Sequence, residues 1–180
     1  MLFESNKIIL RKMTLEDTDL YHGWRNDSEV MQTTASFLDI YSIKETKEFV
    51  ENVMLGSQDS KSYMIVEKET KKAIGVIALV SINYKNRNAE CIIDIGDKEK
   101  WGNGYGAEAI KLLLDVGFLE MNLHRIYLKV FSFNSRAIKL YEKLGFQLEG
   151  RSRESIYRNG QWHDCIQMSI LKNEYTKEKI

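Results

Sequence analysis

Between Ala89 and Phe146 the chain reads as a strand, a glycine-rich turn, a helix, a second strand and a short helix closed by glycine. Few folds accept that succession. The first segment, Ala89-Glu90-Cys91-Ile92-Ile93-Asp94-Ile95, is mostly apolar and rich in residues that favour strands. A charged spacer runs from Gly96 to Lys100, and Trp101-Gly102-Asn103-Gly104-Tyr105-Gly106 then sets three glycines at alternate positions. From Ala107 the residues Ile110, Leu113, Leu114, Gly117, Phe118 and Met121 recur at helical spacing, so the turn opens directly into a helix with one buried face. Such a turn suits an anion. Glycines let the backbone approach a ligand without Cβ clashes, and the free N–H groups of a helix N-terminus favour a phosphate or pyrophosphate.

Spacing separates three phosphate-binding readings. A P-loop requires Lys-Ser or Lys-Thr after the last glycine, where this chain has Ala107-Glu108. Gly104-x-Gly106-x-x-Ala109 matches the permissive dinucleotide fingerprint, but that motif wants its first glycine at the strand end, without the charged spacer found here. Trp101-x-x-Gly104-x-Gly106 resembles the (Gln/Arg)-x-x-Gly-x-(Gly/Ala) pyrophosphate loop of the GNAT superfamily of acetyl-CoA-dependent N-acetyltransferases, with Trp101 in place of the usual first residue. Further on, Asn134-Ser135-Arg136-Ala137-Ile138-Lys139-Leu140-Tyr141-Glu142-Lys143-Leu144-Gly145-Phe146 is similar to the same family's Asn-x-x-Ala-x-x-x-Tyr-x-x-x-Gly-Phe helix. The two motifs stand in the right order, separated by a helix and the strand Arg125 to Val130. The flanking Leu10-Arg11, Trp24-Arg25-Asn26-Asp27 and Tyr157-Arg158-Asn159-Gly160 resemble the branch of ribosomal-protein N-terminal and spermidine acetyltransferases.

At 180 residues and 43% hydrophobic content, the chain is expected to be one N-acetyltransferase-sized domain, 1–180, with a sizeable core and a frayed tail from about residue 173. Formal net charge is zero, so nothing in the balance points to nucleic acid or to a membrane surface. The charge is unevenly placed: residues 1–60 carry 6 Lys and Arg against 11 Asp and Glu, and the remainder is positive by the same margin. A cationic amine suits the first part and a polyanionic cofactor the second, although ordinary solvated helix faces give the same tally. Cys91 and Cys165 stand in apolar contexts with no secretory leader pattern before them, which implies a reduced, cytoplasmic protein. The three histidines have no metal-ligand spacing, so no metal is expected.

In chain order, Lys7 to Lys12 reads as a strand, Thr14-x-x-Asp17 and Ser42-x-x-Glu45 as capping boxes of two helices, and Ser62 to Lys68 with Ile74 to Asn83 as a hairpin. Asn159-Gly160 between two strand-like runs signals a type I′ hairpin. The expected class is α/β (α+β): a GNAT-like mixed sheet of six to seven strands, ordered β-α-α-β-β-β-α-β-α-β-β, whose central strands the resemblance implies are splayed.

The resemblance also assigns roles. An alkyl amine near pKa 10.4 is neutral in only about one molecule in two thousand at neutral pH, and only the neutral form attacks a thioester. The departing thiolate benefits from an acid. The family's acid falls on Tyr141, which helical spacing alone reads as a packed core tyrosine. The carboxylate that deprotonates the amine through water falls on Glu90, whose plain alternative is a buried carboxylate paired with a neighbour. Backbone groups of Ile93, Asp94 and Ile95 are expected to hold the pantetheine arm of acetyl-CoA. Trp101, Gly102, Asn103, Gly104, Tyr105, Gly106 and Ala107 are expected to hold its pyrophosphate. Asn134 contacts the cofactor, caps its own helix, or does both. Arg136 and Lys143 either meet cofactor phosphates or are plain surface charges. Trp24, Asp27 and Glu29 are candidate acceptor contacts on the helices that wall the acceptor site. Asp94, a charge inside an apolar strand, breaks the burial pattern or reaches that site.

The implied reaction is direct transfer of acetyl from acetyl-CoA to a primary amine, a polyamine such as spermidine or a protein N-terminus, with amino-sugar or aminoglycoside acetylation as the alternative. An NAD-binding oxidoreductase and a non-catalytic acetyl-CoA-binding protein are the readings from other classes. A homo-oligomer paired through an exposed strand edge is compatible with the pattern.

Overall fold

The computed structural model describes residues 2–177. Its apolar runs form seven strands: β1 (Ile8–Lys12), β2 (Lys61–Glu67), β3 (Ala73–Asn83), β4 (Asn88–Ile95), β5 (Arg125–Phe131), β6 (Gln147–Arg158) and β7 (Gln161–Leu171). They lie in one sheet in the order β1-β2-β3-β4-β5-β7-β6. Every neighbour is antiparallel except β4 with β5, which are parallel because a helix crosses between them. The helices are α1 (Thr18–Arg25), α2 (Ser28–Met31), α3 (Ile43–Phe49), α4 (Tyr105–Asp115), α5 (Ser135–Lys143) and α6 (Lys172–Lys177). This is the mixed α/β sheet expected from the sequence.

Local chemistry sets the element ends. The Thr14 N–H donates to Asp17 Oδ2 at 2.9 Å ahead of α1, and the Ser42 N–H donates to Glu45 Oε2 at 2.7 Å while the Glu45 N–H returns a bond to Ser42 Oγ, capping α3. Asn159 and Gly160 take φ of 52° and 78°, the pair of positive values that a type I′ turn between β6 and β7 requires.

The sheet is covered on both faces. Tyr63, Ile65, Ile77 and Leu79 cluster with Ile110, Leu113 and Leu114 of α4, whereas Met64, Val66 and Val76 cluster with Met13, Tyr21 and Val50 on the side of α1 and α3. Strand alternation divides β4 in the same way: Ala89, Cys91, Ile93 and Ile95 belong to the α4 side, which leaves Glu90, Ile92 and Asp94 on the other face. The central strands are splayed. Pairing of β4 with β5 covers only Asn88 with Arg125, Ala89 with Ile126 and Glu90 with Tyr127, while β5 stays paired with β7 from Arg125 to Phe131. Beyond Glu90 the β5-facing edge of β4 has no strand against it.

Two helices were not expected. The one-turn α2 follows Asp27, and α6 occupies the segment expected to fray from about 173. Tyr175 of α6 is buried, its ring 5.3 Å from that of Phe118 and its hydroxyl donating to Asp115 Oδ1 at 2.8 Å. One apolar anchor thus docks an otherwise charged tail; the last three residues of the frayed stretch lie outside the described residues.

Candidate active site

The glycine turn is built from three kinds of tie. Gly104 takes φ of 84° at the N-cap of α4, and a Cβ there would meet only Lys7 Nζ at 3.7 Å, so backbone conformation rather than space demands glycine. Trp101, in the place of the family's usual first loop residue, donates its indole N–H to the Ile95 carbonyl at 2.7 Å and so folds the charged spacer back onto β4. Glu67 of β2 receives Lys100 Nζ at 2.9 Å, the Thr70 hydroxyl at 2.6 Å and the Tyr105 hydroxyl. Hydrogen bonds from Thr70, Tyr105 and Lys100 hold the Glu67 carboxyl down to about 2.

A cavity of about 270 Å³ opens at the splay. From β4 it is lined by Ile93, Asp94 and Ile95. The turn and first helical residues contribute Trp101, Gly102, Gly104, Tyr105, Gly106 and Ala107, and the α5 segment contributes Asn134, Arg136 and Tyr141. The N–H groups of Tyr105, Gly106 and Ala107 belong to the first turn of α4 and have no intrahelical acceptor; the first such bond runs from the Glu108 N–H to the Gly104 carbonyl. The Asn134 side chain accepts the Ala137 N–H at 3.2 Å, which caps α5 while the residue still faces the cavity. The Arg136 guanidinium lies 4.8 Å from the centre of the Trp101 ring. These donors and this cation fit a pyrophosphate without rearrangement.

Tyr141 sits deeper, 9% exposed, with its ring 5.9 Å from that of Phe146. Burial, with the nearby Cys91 and Asp94, pushes the phenol's pKa up and keeps it protonated. Burial also pushes the Cys91 thiol up to about 12, so no thiolate nucleophile is available there. Asp94 Oδ1 is sealed from solvent and has no hydrogen-bond partner. Burial raises the Asp94 carboxyl, partly offset by the Thr34 side chain.

Six expected site residues are elsewhere. Asn103 lies outside the cavity; its side-chain amide donates to the Glu99 and Trp101 carbonyls and its own carbonyl accepts Lys7 Nζ at 3.1 Å, so it braces the loop. Lys143 is exposed and also lies outside. Glu90 is not among the residues that line the cavity, and its Oε2 lies 3.6 Å from Lys129 Nζ, the pairing of its plainer reading. Asp27 and Glu29 both bind Lys98 Nζ at 2.9 Å, and Asp27 additionally caps α2 by accepting the Glu29 N–H. The Lys98 ammonium depresses the Asp27 carboxyl and is itself stabilised. Trp24 packs its ring where a Cβ on Gly96 would stand, which fixes the start of the spacer, and it does not line the cavity. Missing from the expectation were Val30 of α2 and Thr33 and Thr34 after it, together with Lys100, Ala137 and Leu140. The threonine pair carries no periodicity that would have singled it out, whereas Ala137 and Leu140 share the helical face of Tyr141 and were reachable by spacing.

The family model of the acetyltransferase (GNAT) domain matches residues 7–147. The chain belongs to the GNAT acetyltransferase family. It is 35% identical over 179 residues to the spermidine N(1)-acetyltransferase of Escherichia coli, covering 97% of this chain and 91% of that one. The crystal structure of spermidine N-acetyltransferase from Vibrio cholerae in complex with CoA and spermine superposes with a TM-score of 0.87 at 30% identity, covering 96% of this chain and 99% of the other. A dodecameric structure of spermidine N-acetyltransferase from Vibrio cholerae gives 0.82 at 29% identity, covering 98% and 100%. This GNAT chain is an acetyl-CoA-dependent N-acetyltransferase, and the oxidoreductase reading of its glycine turn falls away. Among the described residues no helix is long and apolar enough to cross a membrane.

Proposed function

We propose that the chain acetylates a primary amine of a polyamine of the spermidine class. The observation that carries this reading is the single cavity at the splay, where the anion-binding first turn of α4 meets a buried acid, Asp94, and a protonated phenol, Tyr141. The likeness to spermidine acetyltransferases over nearly the whole chain selects the polyamine among amines.

Acetyl-CoA supplies an activated thioester. The N–H groups of Tyr105, Gly106 and Ala107 bind its pyrophosphate, helped by the αL turn at Gly104 and by Arg136. The open edge of β4 at Ile93, Asp94 and Ile95 offers backbone donors and acceptors to the amide groups of the pantetheine arm, as a sheet edge does to an added strand. Tyr141 protonates the departing sulfur, and a phenol held neutral by burial is suited to that task. The outer edge of the sheet is β6, exposed along nearly its whole length, and we assign to it the pairing of copies in a homo-oligomer.

Calorimetric titration with acetyl-CoA, followed by thiol release across spermidine, spermine, peptides with free N-termini, amino sugars and aminoglycosides, tests the reading. Micromolar donor binding with turnover on the polyamines is expected. Turnover confined to another acceptor overturns the polyamine assignment. Tyr141→Phe is expected to leave acetyl-CoA affinity in place and lower kcat by roughly 10²- to 10⁴-fold.

A further inference from the structure

Within the splayed site one group has no structural use. Asp94 stands on the face of β4 that also carries Ile92 and Glu90, two and four residues away at the strand's period of two. Glu90 is held by Lys129. Asp94 instead lines the cavity with Thr34 on one side and Tyr141 on another, and its Oδ1 is buried with no partner. A buried carboxylate oxygen left unbonded is costly, about 1–3 kcal/mol or more, so it marks a place where a donor is missing from the fold. No cation of the pocket supplies that donor: among the side chains lining it, Lys100 is bound by Glu67 and the Arg136 guanidinium lies over Trp101, which leaves the place to an incoming ligand.

We infer that Asp94 is the group that receives the proton of the incoming alkylammonium, a role the family likeness had placed on Glu90. The assignment rests on the amine-acetylation reading. An ammonium N–H bond breaks and its proton moves to an Asp94 carboxylate oxygen. The freed lone pair forms the N–C bond to the thioester carbonyl carbon, and the C–S bond breaks with its electron pair on sulfur. Tyr141 gives sulfur its proton and recovers one from the nitrogen as the amide forms, and Asp94 releases its own to solvent as the product leaves. One proton thus ends on sulfur and one in solution, as the overall exchange requires. Burial favours the protonated carboxyl before the acceptor arrives, and the approaching cation favours the ionised form that can act as base. The titratable groups facing Asp94 are the Tyr21 phenol from α1, pushed up to about 12, and Tyr141 from α5; both stay neutral through this cycle's working range, so neither competes for the ammonium's proton.

The test compares the unsubstituted enzyme, Asp94→Asn and Glu90→Gln on an alkylamine acceptor and on an alkoxyamine, whose nitrogen is already neutral at neutral pH. Asp94→Asn is expected to keep its calorimetric acetyl-CoA Kd, to lose about 10²- to 10⁴-fold in kcat on the alkylamine, and to lose much less on the alkoxyamine. A purely structural residue would affect both acceptors alike, and that result overturns the inference. So does a larger alkylamine loss in Glu90→Gln than in Asp94→Asn. A second readout needs no variant: spermidine binding to the CoA-loaded enzyme, titrated at a series of pH values in buffers of different ionisation enthalpy, should release protons on the acid side of the series, where the buried carboxyl is protonated before the cation arrives. Absence of that release overturns the assignment even where Asp94→Asn fails to fold. If the unsubstituted enzyme acetylates no amine, the amine reading itself fails, and that is seen before any variant is made.

Discussion

Glu67 shows how a residue outside the cavity governs it. Its carboxyl lies 3% exposed under the glycine turn and receives Lys100 and Tyr105, which flank that turn, together with Thr70. The folded value of about 2 lies below the ordinary 4.5, so its stabilisation is complete above about 4.5 and is lost as pH falls toward 2. Glu67→Gln is expected to lower the melting temperature at neutral pH, to weaken acetyl-CoA binding severalfold, and to flatten the acid limb of stability between those two values. A melting series from pH 2 to 7 on both proteins checks this. Such a role is not legible in the sequence, because Glu67 closes a strand and the two partners that tie it to the glycine turn, Lys100 and Tyr105, lie more than thirty residues away. Gly104, Asn134 and Tyr141 were legible because their spacing is local to one turn or one helix. The ion pairs of Asp27 and Glu29 were hidden in the same way: an acid beside a substrate wall and an acid in an ion pair look the same until Lys98 is placed between them.

At the scale of elements, strong periodicity carried over into structure and weak periodicity did not. The helix after the glycine turn, the hairpin at Asn159-Gly160 and the alternating strands all repeat often enough to be read. A four-residue helix such as α2 has too few residues to show a period, and α6 is polar along its length apart from Tyr175. The splay of β4 from β5 is invisible in composition, since both strands are apolar on either side of it; only the family likeness implied it. Docking of α6 through Tyr175 has a consequence for stability. Tyr175→Ala should cost about 3 kcal/mol, the scale of emptying a buried aromatic site, measured by denaturant unfolding. Its acetyl-CoA Kd should stay unchanged wherever the fold persists, because Asp115 lies ten residues along α4 from Tyr105, roughly 15 Å from the end to which the proposed function assigns the pyrophosphate.

Across the whole molecule, charge is divided unevenly between an acidic first third and a basic remainder. Asp27 and Glu29 share one cation, Lys98, and Glu16, Asp19, Asp39, Glu45 and Glu48 are exposed on the helices and loop that precede β2. Their summed field attracts a multivalent cation over distances longer than any contact, and its reach is set by salt: the screening length falls from about 30 Å at roughly 0.01 M to about 8 Å at roughly 0.15 M. Polyamine capture is therefore expected to lose about 10-fold or more in kcat/KM over that range, while kcat hardly changes because the reacting atoms sit in a cavity shielded from bulk ions. A monoamine carries one charge instead of three or four and should lose far less. Thiol-release kinetics for spermidine and for a simple alkylamine, each at low and physiological ionic strength, make the comparison. Equal salt dependence for the two acceptors would mean that the acidic first third of the chain does not steer the substrate, and that selection of the polyamine happens only inside the cavity.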